Sequence, residues 1–255
     1  VADFGRLSVH GVGMLGAAPA EYDAYWQTLG LGRVSLVDDQ LRDPALVPLV
    51  ARRGYVVDTV FHLFRTPEAL DAVLDAAAAI GARCVYMLTG GRDGLTWEQA
   101  AERFCDAVAP CRDHARKVGV ALAIENASAL YADIHIAHSL RDTATLAEMA
   151  DLDVVVDLFH CWAEADLTAL VERVLPRTQS IQLSDYVLGD RSLPARAVPG
   201  DGAIPIERFV RHAIEHGYRH GFDLELIGPR IDREGPLDAA RRACVTVAAM
   251  LTRIG

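Results

Sequence analysis

Eight short β-rich apolar runs alternate with eight helical patterns from one end of the chain to the other, and this alternation is what most constrains the fold. The strand candidates are Leu7–His10, Val34–Val37, Val56–His62, Cys84–Leu88, Val120–Glu125, Val154–Asp157, Ile181–Ser184 and Phe222–Leu226. Between them run helical patterns over Pro19–Leu29, Pro44–Arg53, Pro67–Ile80, Thr96–Val118, Ser139–Ala150, Asp166–Val174, Ile206–His216 and Leu237–Arg253. Asp43-Pro44, Thr66-Pro67-Glu68 and Thr96-Trp97-Glu98 supply capping side chains or a proline fitted to a first turn, and Gly54, Gly81, Gly119 and Gly217 suit helix stops. Eight such units in 255 residues predict an α/β fold of the closed (β/α)₈ barrel type, in one domain over residues 1–255. A doubly wound open sheet is the alternative. It would need a dinucleotide loop, but Gly11-Val12-Gly13-Met14-Leu15-Gly16 is followed by no clear ribose-binding acid about 20 residues on.

Charge and lysine content remove several chemistries. With 25 Lys+Arg against 35 Asp+Glu the net charge is −10, so no overall positive field exists to recruit nucleic acid or an anionic membrane. Lys117 is the single lysine and lies at the polar end of a helical pattern, a poor candidate for Schiff-base, pyridoxal phosphate or P-loop chemistry. Cys84, Cys105, Cys111, Cys161 and Cys244 form no C-x-x-C pair and read as small core residues of a reducing compartment. No basic-plus-apolar leader and no run of about 18 apolar residues is visible, so the expected location is the cytoplasm.

In a parallel barrel the carboxyl ends of the strands share one mouth, and polar residues there are the ones to collect. The last four units each deliver an oxygen donor: Glu125, Asp157, Gln182 and Glu225. Carboxylates inside apolar strands are costly to desolvate, and a shared divalent cation makes three of them tolerable. An all-oxygen shell favours Mn²⁺ or Mg²⁺ ahead of Co²⁺ or Zn²⁺. His62 ends the third strand and His10 the first, and each reads either as a mouth residue or as a structural histidine. Trp162 is a candidate apolar wall and Asp185 a partner for a ligand or an arginine. His135, His138, His212, His216 and His220 show no ligand spacing and read as surface residues. The Gly- and Pro-rich segment from Asp185 to Pro205 follows the seventh strand, and a loop of that length is usually functional or disordered.

The segments Ala123-Ile124-Glu125-Asn126, Asp157-Leu158-Phe159-His160, Ile181-Gln182-Leu183-Ser184-Asp185, Pro199-Gly200-Asp201-Gly202, His216-Gly217-Tyr218 and Asp223-Leu224-Glu225 together resemble the xylose isomerase-like barrels. That family includes sugar epimerases, hydroxypyruvate isomerases and endonuclease IV type repair enzymes; the likeness is nearest the hydroxypyruvate isomerase and ketose epimerase type. It implies a xylose isomerase-like TIM barrel in which Glu125, Asp157, Gln182 and Glu225 hold one metal ion and His160 touches substrate. Many relatives carry histidine where Gln182 stands. Some carry an arginine soon after the third ligand that grips substrate; here Arg191 and Arg196 both lie in the long loop, and which of them fills that role is open.

The resemblance further implies proton transfer between adjacent carbons of a small hydroxy-carbonyl compound through an enediolate, with Glu125 and Glu225 as base and acid. A lyase that expels water from the same enolate, of the inosose or dehydroshikimate type, is the alternative, and a non-catalytic barrel is a third reading. Nuclease chemistry is disfavoured, because Gly200-Asp201-Gly202 stands where the repair enzymes carry an Asp-x-His pair. The expected partner is a small-molecule substrate, without nucleic acid or membrane. Assembly into a homo-oligomer is left open.

Overall fold

In the computed structural model, residues 4–255 are described. All eight expected strands form: β1 Leu7–Val9, β2 Arg33–Val37, β3 Val56–Leu63, β4 Cys84–Leu88, β5 Ala121–Glu125, β6 Asp153–Asp157, β7 Thr178–Leu183 and β8 Phe222–Leu224. Every ladder is parallel, in the order β1-β8-β7-β6-β5-β4-β3-β2, which bends into a nearly closed barrel with its seam between β1 and β2. Outside the strands lie helices α1 Pro19–Leu29, α2 Leu46–Arg53, α3 Pro67–Ala79, α4 Trp97–Val118, α5 Leu140–Ala150, α6 Leu158–Cys161, α7 Leu167–Val174, α8 Ile206–Glu215, α9 Pro229–Glu234 and α10 Pro236–Ile254.

Strands buried on both faces read as almost continuous apolar runs, and their two faces serve two cores. The larger core lies between sheet and helices and includes Leu7, Val9, Val34, Leu36, Ile124, Leu146 and Phe222. A small separate cluster of Cys84, Tyr86, Ala123 and Val155, with Phe61 and Ala121 against it, fills the barrel. Polar groups below it pair across strands, with Ser8 donating to Asp223 over 2.7 Å and Ser35 bonded to Thr59 over 2.6 Å.

Helix α4 shows how the sequence sets the outer ring. The Thr96 hydroxyl accepts the Gln99 N–H while the Gln99 side chain accepts the Thr96 N–H, so two otherwise orphaned donors are satisfied. Ala100, Phe104, Val108, Cys111 and Ala115 recur at helical spacing and face the sheet, and Gly119 ends the helix at φ +76°. Phe104 meets Phe64 of the β3–α3 connection edge to face, 5.5 Å between centroids. One expected start is corrected: α2 begins at Leu46, because the Asp43 carboxylate accepts the Ala45 N–H and holds Pro44 in a turn. The Gly11–Met14 segment is a short 3-10 turn, and a Cβ at Gly11 would strike the Gln40 side chain and the Ser35 carbonyl.

Candidate active site

Glu125 closes β5, Asp157 closes β6, Gln182 lies near the end of β7 and Glu225 stands just past β8, so parallel register brings all four to one mouth. All four are buried, and oxygens of the three carboxylates lie within 4.8 Å of one another. Asn126 clamps the first two strands: its side chain donates to the Asp157 carbonyl over 2.8 Å and accepts the Asp157 N–H over 2.9 Å. Asp157 also accepts the Phe159 N–H, which starts α6 and carries His160 to the rim.

Of the two loop arginines, Arg196 is the one that reaches the mouth. It is buried, and its guanidinium donates to both Asp157 oxygens, over 2.6 and 3.3 Å, and lies 3.0 Å from Glu225 Oε1. Ser184 accepts from it over 3.0 Å, the His160 imidazole lies 3.4 Å away, and the Phe159 ring lies under the guanidinium carbon at 4.7 Å. Arg191, in contrast, is exposed and donates to the Tyr186 hydroxyl and the Asp190 carbonyl. The sequence carried the signal, since Arg196 opens an Arg-x-x-x-Gly-x-Gly run ending at Gly202; residues 187–194 push it far from Gln182.

Asp185 positions that arginine through backbone. Its buried carboxylate accepts N–H groups from Tyr186, Gly200, Gly202 and Ile204, and its own main chain pairs with Ala197 in both directions over 2.8 Å. The expected direct contact with a ligand or arginine is therefore replaced by a fold-back of the loop. Gly202 is required there, because a Cβ would lie 2.4 Å from the Asp185 carboxylate.

The opposite wall is aromatic: His10 is the mouth residue that the sequence offers as one of two readings, whereas Phe61 and Tyr86 are not singled out by sequence. The Val12 N–H donates to His10 Nδ1 over 3.1 Å, which leaves the hydrogen of the neutral ring on Nε2, 2.5 Å from the Tyr86 hydroxyl. The same hydroxyl accepts from the Gln182 amide over 2.9 Å. With both acceptor positions of Tyr86 used, its own O–H is left to point elsewhere, and the cavity beside it is lined by Phe61, Leu88, Glu125, His160, Arg196 and Glu225. That cavity holds about 190 Å³, below the ~300–1,000 Å³ of drug-sized sites, and so fits a small substrate.

Burial and mutual repulsion set the charges. Burial first, then Glu225 and Asp157, hold the Glu125 carboxyl well above its ordinary range. Burial also raises Glu225, to about 7, against the pull of Arg196. Burial acts to raise Asp157 too, but Arg196 and His160 outweigh it and its carboxyl stays below the usual value. Desolvation lowers His160 to about 4 and depresses His10, so both rings are neutral near pH 7.

Four further expectations are corrected. His62 is buried but does not line the mouth: alternation along β3 turns Phe61 inward and His62 outward, where Nδ1 lies 2.6 Å from Asp38. Trp162 lines a neighbouring cleft of about 410 Å³ with Tyr186 and Arg191, and only His160 is shared with the mouth. His135 is a core residue; it bonds Thr89 through Nδ1 and the Glu125 carbonyl through Nε2, tying the β4 and β5 exits together. His212 and His216 do have ligand spacing and converge with Glu172 on the outer surface.

A family model described as xylose isomerase-like TIM barrel matches residues 65–246, and the chain belongs to that family. Protein SMc04130 from Sinorhizobium meliloti 1021 superposes with a TM-score of 0.86 at 20% identity over 99% of both chains. The IolI protein with a bound zinc atom superposes at 0.81 and 15% identity, covering 98% of this chain and 99% of its own. D-psicose 3-epimerase from Clostridium cellulolyticum H10, solved with D-tagatose, gives 0.78 at 13% identity over 98% and 99%. None of the curated proteins matches in sequence.

The oxygen donors fit a divalent cation. The Gln182 Oε1 is buried without a hydrogen-bond partner, on the same rim as the three carboxylates. Three carboxylates against one guanidinium formally carry two excess negative charges in a buried site, which the raised proton affinity of Glu125 and Glu225 offsets and which one divalent ion would balance.

Proposed function

We propose that this barrel is an isomerase or epimerase of a small hydroxy-carbonyl compound, with one divalent cation, Mn²⁺ or Mg²⁺ first, held by Glu125, Asp157, Gln182 and Glu225. The observation that carries the reading is the convergence of three buried carboxylates, with the partnerless Gln182 Oε1 on the same rim, at the mouth. IolI with bound zinc and the psicose epimerase share the fold, and they support the class of chemistry. When bound, the cation supplies the positive charge that stabilises the oxyanion of an enediolate.

The chain's own groups do the rest. Glu125 and Glu225, from β5 and β8, flank the β6 and β7 ligands, so a carbon held between them has a carboxylate on either side. Their raised affinity for protons suits them to take a proton at one carbon and return one at its neighbour or at the opposite face. Tyr86 donates its free O–H to a substrate oxygen, and neutral His160 and Arg196 hold the polar end. Phe61 and Leu88 exclude water from the other side.

The test is metal analysis of wild type and Glu125→Gln, followed by a screen of hydroxyaldehydes, hydroxyketones and ketoses by mass spectrometry and NMR. Exchange of a carbon-bound hydrogen for solvent deuterium with otherwise unchanged mass supports the proposal. Loss of one water identifies the lyase instead, and no bound metal after reconstitution removes the cation from the mechanism.

A further inference from the structure

A second cluster of metal-ligating groups lies outside the mouth. Glu172 on α7 and His212 on α8 belong to neighbouring outer helices, and His216 immediately follows α8. His212 and His216 are four residues apart, so their rings lie on one helix face with centroids 4.0 Å apart. Glu172 Oε1 lies 3.2 Å from His212 Nε2 and 3.6 Å from His216 Nε2.

Three features make this arrangement able to hold a metal ion. The first is the tautomer of His216. Its Nδ1 lies 2.8 Å from the His212 carbonyl, which can only accept, so Nδ1 carries the hydrogen and the neutral ring turns the Nε2 lone pair toward a carboxylate oxygen. Two lone pairs facing each other require a cation between them, a proton or a metal.

The second feature is His212. Its Nε2 is buried and has no hydrogen-bond partner, although Glu172 is within reach, because the atoms are not aligned for an N–H···O bond. A buried nitrogen left without a hydrogen-bond partner is free to bond a third group. The third feature is spacing. Tetrahedral zinc bonded at about 2.0–2.1 Å sets its ligand atoms about 3.3–3.4 Å apart, and the observed 3.2 and 3.6 Å bracket that edge.

We propose that Glu172, His212 and His216 form a zinc-class site, two imidazoles and one carboxylate with water as fourth ligand, which ties α7 to α8. The ligands lie toward the C-terminal ends of these helices, at the end of the barrel opposite the mouth. The site is structural and independent of the catalytic reading. Its two helices follow the segments that present His160 and Arg196, so the metal braces the outer ring behind them.

Zinc titration of metal-free protein against a chromophoric chelator tests this, with wild type, His216→Ala and Glu172→Gln in parallel. Wild type should take up one more zinc ion per chain than His216→Ala, at micromolar or tighter dissociation constant, and Glu172→Gln should weaken that ion at least tenfold. Cobalt(II) at the same site should show tetrahedral absorption bands that disappear in His216→Ala. The difference between two counts isolates the outer site whatever the mouth holds. Equal zinc counts in wild type and His216→Ala, or binding only at millimolar zinc, would overturn the proposal.

Discussion

The two halves of the barrel mouth are built from opposite materials. Strands β5 to β8 end in Glu125, Asp157, Gln182 and Glu225, whereas the β1, β3 and β4 exits supply His10, Phe61, Tyr86 and Leu88. One half carries all three carboxylates, with Tyr131 and His160 as its own aromatic lining, and the other carries no charged side chain at the mouth. The division has a physical use, because apolar walls on one side lower the dielectric in which the opposite side's carboxylates must be held. The raised Glu125 and Glu225 are the measurable consequence.

Breaking the charged half should have the largest effect. Glu125→Gln and Glu225→Gln each remove a proton carrier and a charge while keeping shape, and turnover of a substrate found by the screen should fall about 10³- to 10⁴-fold. Steady-state kinetics beside circular dichroism checks this. Near-normal turnover in both variants would remove the two glutamates from the chemistry.

Next in size is the guanidinium that holds this half together without metal. Arg196→Met strands Asp157 and Glu225 in a dry site, a loss of about 3–5 kcal/mol for a buried pair broken on one side. Urea denaturation of the metal-free protein should show that loss, and saturating Mn²⁺ should restore part of it. An unchanged midpoint would mean that Asp157 also holds a proton in the wild type.

The two halves also differ in how far the chain can be read without coordinates. A carboxylate closing an apolar strand demands a partner, so Glu125, Asp157 and Glu225 are visible in sequence, and Gln182 is collected with them as the oxygen donor of the seventh unit. Phe61 and Tyr86 raise no such alarm, because an aromatic in a strand is ordinary core. The same alternation that hid Tyr86 also misplaced His62, since a one-residue step along a strand changes its face. All eight strands were legible from apolar runs between helix caps. Short segments such as α6 and α9 were not, because their starts depend on contacts such as Asp157 to Phe159. Glu172 could not be joined to His212 and His216 for a related reason: the i,i+4 pair is visible in one helix, but the third ligand comes from another.

A subtler cut tests the aromatic half. Tyr86→Phe keeps the ring that walls the cavity and removes only the O–H whose acceptor positions are filled by His10 and Gln182. Metal content should stay at the wild-type level while kcat/KM falls about 10- to 100-fold, the worth of one buried hydrogen bond to substrate. Loss of metal in this variant would instead give Tyr86 the role of orienting the Gln182 amide.

The smallest effect is the pH dependence that links the two halves. In metal-free protein Glu225 titrates at about 7 and Glu125 also above its ordinary range, so the folded state binds protons that the unfolded chain has already released. Stability of the metal-free protein should therefore decline as pH rises from the ordinary carboxyl range toward 7. A bound cation must expel the Glu225 proton, so its affinity should weaken about tenfold for each pH unit below about 7, and the raised Glu125 acts in the same direction. The metal-loaded folded state carries no such protons, so its stability should stay nearly flat over the window in which the metal-free protein loses stability. Thermal midpoints from pH 5 to 8, with and without Mn²⁺, check this difference in slope. Parallel slopes would mean that the aromatic wall does not hold those protons in place.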